Sequence, residues 1–321
     1  MRWRSAYPVI FMKLVSVIIP AHKEGRHLGN AIKSISDQTY DYIELITIND
    51  GNDPETNEAY YNSITTFDAR DSKRSLKHIE GVFGSAAASR NRGALAATGE
   101  ILIFHDADCI ADKDMVYNVV ASIERGYDGV ASKTDVVEPK TLIEKAIKAE
   151  RSIGFDMKQK ELKEIHKGDP VLIANMKTEC FKKLNGFNEK IFYFEDQDLT
   201  NRFFDMGFEA HFNPKVIEYH NDPSTLKEQI DQSISNGKGI RTLVKQGKFH
   251  KLLIPLYPFV FLGGIVSLIF GNIILSAILF SPLMFLVLIL MSEEDDMLGV
   301  AAFIPLFLMR NIFKLIGLIK G

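Results

Sequence analysis

The sequence predicts an α/β fold, a mostly parallel, doubly wound sheet flanked by helices, followed by an α-helical hairpin in a membrane. Three observations carry that expectation. Short β-branched apolar runs alternate with segments of helical periodicity from Leu14 to Ser132, the pattern of strands joined by crossover helices. One of those runs, Ile101–Ile110, ends in two carboxylates, Asp106 and Asp108; strand ends of this kind lie at the carboxyl edge of the sheet, where open α/β folds bind ligands. Beyond the alternating region, Leu252–Met291 is almost wholly apolar and has no charged residue.

Leu14–Pro20 is a continuous apolar run and reads as a central strand, and Leu28, Ile32 and Ile35 then recur at helical spacing. Ile43–Asn49 is a second strand closing on Asp50-Gly51. Pro54–Ile64 is weakly helical, a short strand lies around His78–Ile79, and Ala86–Ala97 is an Ala-rich helix closed by Gly99. The Ile101–His105 strand follows, then a helix over Asp114–Ile123 and a strand at Gly129–Ser132. The second half is less regular. Leu142–Ile153 reads as helix, Val171–Met176 as strand, and Thr178–Leu184 as a helix ended by Gly186. Glu195–Gly207 is a helix with Leu199, Phe203 and Met206 on one face, and a strand covers Val216–His220.

At 321 residues the chain accommodates one large domain or two small ones. A formal net charge of −3 gives no reason to expect nucleic acid. The two cysteines, Cys109 and Cys180, are too few for a disulfide framework, and their surroundings read as packed core, so reduced thiols facing the cytosol are expected. Residues 1–13 read as an N-terminal extension with no cleavage-type region, Met12 being a second candidate start. Residues 14–245 read as the soluble domain and 246–321 as the membrane domain. An apolar helix of that length would measure about 60 Å, roughly two crossings of a hydrocarbon core. Spans are therefore expected over about 252–271 and 273–291, turning at Gly271-Asn272. The stretch 297–319, apolar until Arg310 and Lys314, is a third span or an amphipathic interfacial helix, the balance favouring the latter. Lys238, Arg241, Lys245, Lys248 and Lys251 crowd the soluble side of the first span and mark it as cytoplasmic. The expected location is a multi-pass cell-membrane protein with its α/β domain in the cytoplasm.

Polar motifs fall where strands end or helices begin. Acid–small–acid spacing at Asp106 and Asp108 suits a hard cation, Mg²⁺ or Mn²⁺, which can in turn hold a diphosphate. Pro20-Ala21-His22-Lys23-Glu24 follows the first strand, Asp50 closes the second, and Ser89-Arg90-Asn91-Arg92-Gly93 lies in the Ala-rich helix. Lys183-Leu184-Asn185-Gly186-Phe187-Asn188-Glu189 and Glu195-Asp196-Gln197-Asp198-Leu199 come later. In order and spacing these motifs resemble family 2 glycosyltransferases of the Rossmann-like GT-A fold over about residues 14–245. That family carries a strand ending Pro-x-x-x-Glu, an Asp-Gly turn, an Ala-Arg-Asn-x-Gly helix, an Asp-x-Asp strand end, a Gly-Gly-Phe-Asp-Glu turn and a Glu-Asp-x-Asp-Leu helix start.

The resemblance implies a nucleotide-sugar site at Pro20, Glu24, Asp50, Arg90 and Asp106, with Asp50 on the base, Glu24 near the ribose and Arg90 toward the diphosphate. Asn49 stands where the family usually has a first Asp. The resemblance further implies Asp106 on the ribose or metal, Asp108 on the metal directly, and His220 completing the metal site, with Mg²⁺ or Mn²⁺ as cofactor. Asp196 would be the general base that deprotonates the acceptor hydroxyl, with Glu195 and Asp198 beside the acceptor. The bland alternative for Glu195 and Asp196 is helix capping. Processive members of the family carry Gln-x-x-Arg-Trp before the first C-terminal span; Gln232-Ser233-Ile234-Ser235-Asn236 lacks the Arg and Trp, so one sugar per encounter is expected.

The function expected from these features is an inverting, metal-dependent, non-processive transfer of a sugar from a UDP- or GDP-sugar to a lipid-linked or glycan acceptor near the membrane. A polyprenyl-phosphate sugar synthase is the alternative, which the Glu-Asp-x-Asp helix start disfavours because a phosphate nucleophile needs no strong base. A nucleotidyltransferase is disfavoured by the lack of a Gly-rich basic loop at Ala21–Gly29, and an inactive membrane scaffold by the intact carboxylates. A homo-oligomer stays open.

Overall fold

The computed structural model describes residues 12–64, 67, 73–151, 165–169, 171–245, 253–293 and 297–320. The N-terminal extension up to residue 11, Lys248, Lys251 and the end of the expected 142–153 helix lie outside the described residues. The chain forms two compact units, Met1–Asp135 with Leu162–Asn221, and Val136–Glu161 with Asp222–Gly321.

The first unit is built on strands β1 (Val15–Ala21), β2 (Ile43–Asp50), β3 (Arg74–Gly81), β4 (Ile101–Phe104), β5 (Cys109–Ala111), β6 (Gly129–Val136), β7 (Asn175–Lys177) and β8 (Ala210–His220). Its helices are α1 (Gly25–Ser36), α2 (Pro54–Ser63), α3 (Ala86–Ala96), α4 (Met115–Glu124), α6 (Thr178–Lys183) and α7 (Glu195–Asp205), while α5 (Leu142–Arg151) belongs to the second unit. The sheet order is β3-β2-β1-β4-β7-β6-β8-β5. Val15, Val17, Ile18 and Ile19 are fully buried because helices cover both faces, which is why β1 reads as a continuous apolar run.

The parallel expectation holds for β3, β2, β1 and β4, and the other resolved pairings, β4 with β7, β7 with β6 and β5 with β8, are antiparallel. Hydropathy reports burial, not strand direction, so an apolar run such as Val171–Met176 does not distinguish the two. The sheet is therefore mixed. Strand β5, only three residues long, has no signature of its own beside the Ile101–Phe104 run. Helix α7 stops at Asp205, two residues before Gly207 (φ +78°), which leaves Met206 exposed rather than on the buried face with Leu199 and Phe203.

Helix α3 lies directly on β1 and β2. Ser85 caps it, its hydroxyl accepting from the Ala88 N–H at 3.1 Å. A Cβ at Gly93 would collide with Ile18 and come within 2.8 Å of the Ile48 Cδ1, so only glycine lets the helix approach this closely.

The second unit is helical: α5, α8 (Leu226–Lys245), α9 (Leu253–Ile269), α10 (Ile273–Glu293) and α11 (Met297–Lys320). Helices α9 and α10 form the expected hairpin about Gly271 (φ +77°) and Asn272, whose side chain accepts from the Leu275 N–H at 3.0 Å. Helices α8 and α11 meet backbone to backbone, since a Cβ on Gly237 or Gly317 would strike the carbonyls of Lys314 and Ile234. Arg310 of α11 forms an ion pair with Glu150 of α5. Among the described residues, α11 over Leu298–Lys320 is the helix long and apolar enough to cross a membrane, and the shorter apolar helices described are Pro255–Ile269 and Ile273–Leu288. The candidate span lies in the segment that the sequence reads as a third span or an interfacial helix.

Gly93→Ala is expected to destabilise the first unit by about 1–3 kcal/mol, the usual cost of overpacking. Urea unfolding followed by the fluorescence of the buried tyrosines of that unit checks it; an unchanged midpoint would show that α3 can lift off the sheet without cost.

Candidate active site

The carboxyl ends of β1, β2 and β4 open onto a cleft of about 480 Å³ whose walls include Pro20, Glu24, Asp50, Arg90, Asp106 and Asp108. The N-terminus of α3 and His220, the last residue of β8, also line it. Sites separated by up to 200 positions therefore converge where a parallel sheet puts its strand ends. Lys23 stands at φ +59° in the turn that carries Glu24 into the cleft.

Asp50 is spent on its own chain. Its Oδ1 accepts from the N–H groups of Phe83 (2.7 Å) and Gly84 (3.1 Å), and its Oδ2 accepts from the Ser89 hydroxyl at 2.9 Å. It anchors the loop leading into α3 and lines the cleft as a positioning group, while the base contact implied by the resemblance would have to share these oxygens. Asn49 is fully buried, and its amide donates to Asp53 O (2.9 Å) and Asn57 Oδ1 (2.6 Å). The substitution of the family's first Asp thus falls on a side chain that braces α2.

Arg90 is the centre of the cluster. One Nη donates to Glu195 Oε1 at 2.6 Å and the other to Asp106 Oδ1 at 2.7 Å, and the guanidinium lies 5.5 Å from the centroid of the Phe187 ring. Burial works against its charge, but the Asp106 and Glu195 carboxylates outweigh that and hold it more firmly protonated than usual. The neighbouring Asn91 ties in the Gly186-Phe187 turn: its amide donates to Phe187 O at 2.9 Å, and its oxygen accepts from the Phe187 N–H at 2.8 Å.

Helix α7 begins at Phe194, a non-glycine residue at φ +65° whose side chain makes no capping hydrogen bond. Such a backbone costs of order 1–3 kcal/mol and is a mark of functional sites. Glu195 is not a cap, since it faces Arg90. Asp196 is driven above the usual carboxylate range by burial first and by the adjacent Glu195 second, with the Gln197 N–H (2.6 Å) and Arg90 pulling the other way. Asp198 stands apart from this cluster: it accepts from Arg202 Nε at 2.8 Å, while the same guanidinium donates to the carbonyls of Leu184 and Gly186.

Asp108 Oδ2 lies 3.2 Å from His220 Nε2, and ligand atoms of Asp108, Cys109 and His220 fall within 4.8 Å of one another. Burial opposes the charge on Asp108, but the His220 hydrogen bond overrides it and keeps the carboxyl below its usual range. Burial pushes the Cys109 thiol far up, so it stays protonated and offers no thiolate. A carboxylate–imidazole pair without a thiolate fits Mn²⁺ or Mg²⁺. Glu24 is pushed up to about 7, by burial first and then by the negative field of Asp108. Ser89 and Phe187 lie in motifs the sequence singles out, without a role of their own there; Glu218 gives no sequence signal, because a polar residue in a strand does not show what it faces.

The Glycosyl transferase family 2 profile matches residues 16–183, and the chain belongs to that family. The probable glycosyltransferase YdaM of Bacillus subtilis is 25% identical over 247 residues, 74% of this chain and 58% of YdaM, so the chain spans little more than half of that relative. A Methanococcus voltae protein is 21% identical over 327 residues, covering 97% of this chain and 98% of its own; it is named a dolichyl N-acetyl-α-D-glucosaminyl phosphate 3-β-D-2,3-diacetamido-2,3-dideoxy-β-D-glucuronosyltransferase. In fold, the chain is similar to the mannosyltransferase PcManGT from Pyrobaculum calidifontis, solved with GDP-Man and Mn²⁺, at a TM-score of 0.60 and 17% identity over 95% of this chain and 88% of that one. The fold is GT-A-like.

Glu24 gives a measurable consequence. Because its folded value, about 7, lies above the ordinary 4.5, it contributes stability below pH 4.5 that is lost as pH rises through 7. A divalent cation held at Asp108 would cancel the part of the shift that Asp108 causes, so Mn²⁺ added at pH 7 should release a fraction of a proton. Calorimetry in buffers of different ionisation enthalpy reads this release, and Glu24→Gln should abolish it; release unchanged in that variant would assign the proton elsewhere.

Proposed function

We propose that this glycosyltransferase moves a single sugar, with inversion, from a UDP- or GDP-sugar to the hydroxyl of a lipid-linked glycan acceptor, using Mn²⁺ or Mg²⁺. The observation that carries the reading is the Arg90 bridge: one guanidinium joins Asp106 at the donor cleft to Glu195, the neighbour of Asp196. Donor-binding and proton-accepting groups are thereby held in one site. The M. voltae relative, whose name specifies a sugar carried on dolichyl phosphate as acceptor, and a Haloferax volcanii relative named glucosyl-dolichyl phosphate glucuronosyltransferase support a lipid-linked sugar as the acceptor class.

In this reading Asp196 takes the proton of the acceptor hydroxyl as that oxygen forms its bond to the anomeric carbon. The bond from that carbon to the β-phosphate oxygen breaks on the opposite face, which inverts the configuration. Its raised affinity for a proton suits Asp196 to this task, because a carboxyl poised nearer neutrality accepts the proton more readily. Asp108 and His220 would hold the cation, with Asp106 at the ribose, and the cation offsets charge gathering on the departing nucleoside diphosphate. The N-terminal N–H groups of α3 face the same cleft and favour the anion. The absence of the Gln-x-x-Arg-Trp motif supports transfer of one sugar per encounter. The C-terminal helices would anchor the enzyme in the cell membrane, with the lysine and arginine cluster at 238–251 on the cytoplasmic side.

Asp196→Asn should cut transfer about 10²–10⁴-fold, the usual loss of a general base, while donor affinity changes little. Radiolabelled UDP- and GDP-sugars, membranes containing the full chain and Mn²⁺ provide the assay. Label should enter the lipid fraction and be released by mild acid as an oligosaccharide. Release as a monosaccharide would mean that a lipid phosphate is the acceptor, and unchanged turnover would remove Asp196 from the base role.

A further inference from the structure

His105 is fully buried directly before the Asp106–Asp108 turn, and nothing in the proposed chemistry uses it. Its Nε2 lies 3.1 Å from the carbonyl oxygen of Cys109, and its Nδ1 lies 3.1 Å from Glu218 Oε1. Both ring nitrogens are thus engaged, one by a main-chain carbonyl and one by a carboxylate, so the ring is held from two sides. The two contacts span the two strands that carry the candidate metal ligands. Cys109 follows Asp108, and it pairs across β5 and β8 with His220; Glu218 is the partner of Ala111 in the same ladder. The Asp108 main chain is pinned independently, its carbonyl accepting from Asn221 N (2.9 Å) and Asn221 Nδ2 (2.8 Å), and the Cys109 N–H closes the turn onto Asp106 O at 3.0 Å.

We infer that His105 and Glu218 are positioning residues that brace the end of β4 against β8 and so set the separation of Asp108 and His220 for a divalent cation. The inference rests on the metal site proposed above. A strand of three residues such as β5 has too few ladder bonds to fix its own register, and a free strand end would let Asp108 drift relative to His220. The His105–Glu218 pair adds a second constraint from below the site, beside the Asn221 bonds that hold the Asp108 carbonyl. Outer partners of this kind orient first-contact ligands, and their loss typically costs 10–100-fold in metal affinity.

The test is Mn²⁺ binding to the full chain in nanodiscs, followed by electron paramagnetic resonance with detection of nitrogen coupling to the bound ion. Wild-type protein should bind Mn²⁺ with coupling from His220. His105→Phe and Glu218→Leu should each weaken binding 10–100-fold and diminish that coupling. Glu218→Leu keeps much of the volume and removes the acceptor, so it decides the matter alone if His105→Phe does not fold. Variants that bind with wild-type affinity and coupling overturn the brace while leaving the metal site standing. A wild-type protein that binds no Mn²⁺, or binds it without nitrogen coupling, removes the metal site itself, and the brace with it.

Discussion

The partly buried Arg90 guanidinium, held between the exposed Asp106 and the partly buried Glu195, is the interaction on which the site depends. A cation out of water is costly unless carboxylates and good geometry compensate it, and here two hydrogen-bonded acids from distant segments do so. One acid ends β4, the other starts α7. Removing the arginine leaves two acids without their common counterion and frees α7 to move, together with Asp196. The left-handed backbone at Phe194 fits this picture, because strain of that kind persists only where neighbouring contacts overdetermine the local conformation.

Most polar residues around the cleft support others rather than meeting solvent. Asp50 organises the loop into α3, Asn91 staples the Phe187 turn beneath Arg90, and Arg202 holds the carbonyls of Leu184 and Gly186. Gly93 lets α3 rest on β1 and β2, which aims the first turn of the helix at the cleft. Family motifs that look like ligand contacts in a linear reading are here partly scaffold. In the proposed reading the groups left to act on substrate are fewer: Glu24, Asp106, Asp108, Asp196 and His220, with Arg90 as the tie between Asp106 and Glu195.

Much of this was legible in the chain. The central strands announce themselves because both of their faces are buried, and the polar residues just beyond them fall at the sheet edge by geometry alone. Asp106, Asp108, Glu24 and Arg90 therefore reached the cleft as expected from the sequence. Strand direction did not, because hydropathy reports burial and not direction: the apolar run Val171–Met176 leads into β7, which pairs antiparallel with β4. The three-residue β5 is too short to show a period. Side-chain partners are also invisible in one dimension: Glu195 and Asp198 stand three positions apart on one helix, yet the first meets Arg90 and the second Arg202. In the C-terminal region the turn at Gly271 was legible in the apolar run, whereas nothing in the sequence signals that Gly237 and Gly317 bring α8 and α11 into backbone contact.

The central claim is that Arg90 couples the donor side of the site to the base side. A double-mutant cycle of Arg90→Met and Glu195→Gln, read as the rate of nucleotide-sugar hydrolysis by the full chain with Mn²⁺, measures that coupling directly. The account predicts strong non-additivity, of about 0.5–3 kcal/mol, with the double variant little worse than Arg90→Met alone. Losses that simply add would mean that the two residues act independently and that the guanidinium does not join the halves of the site.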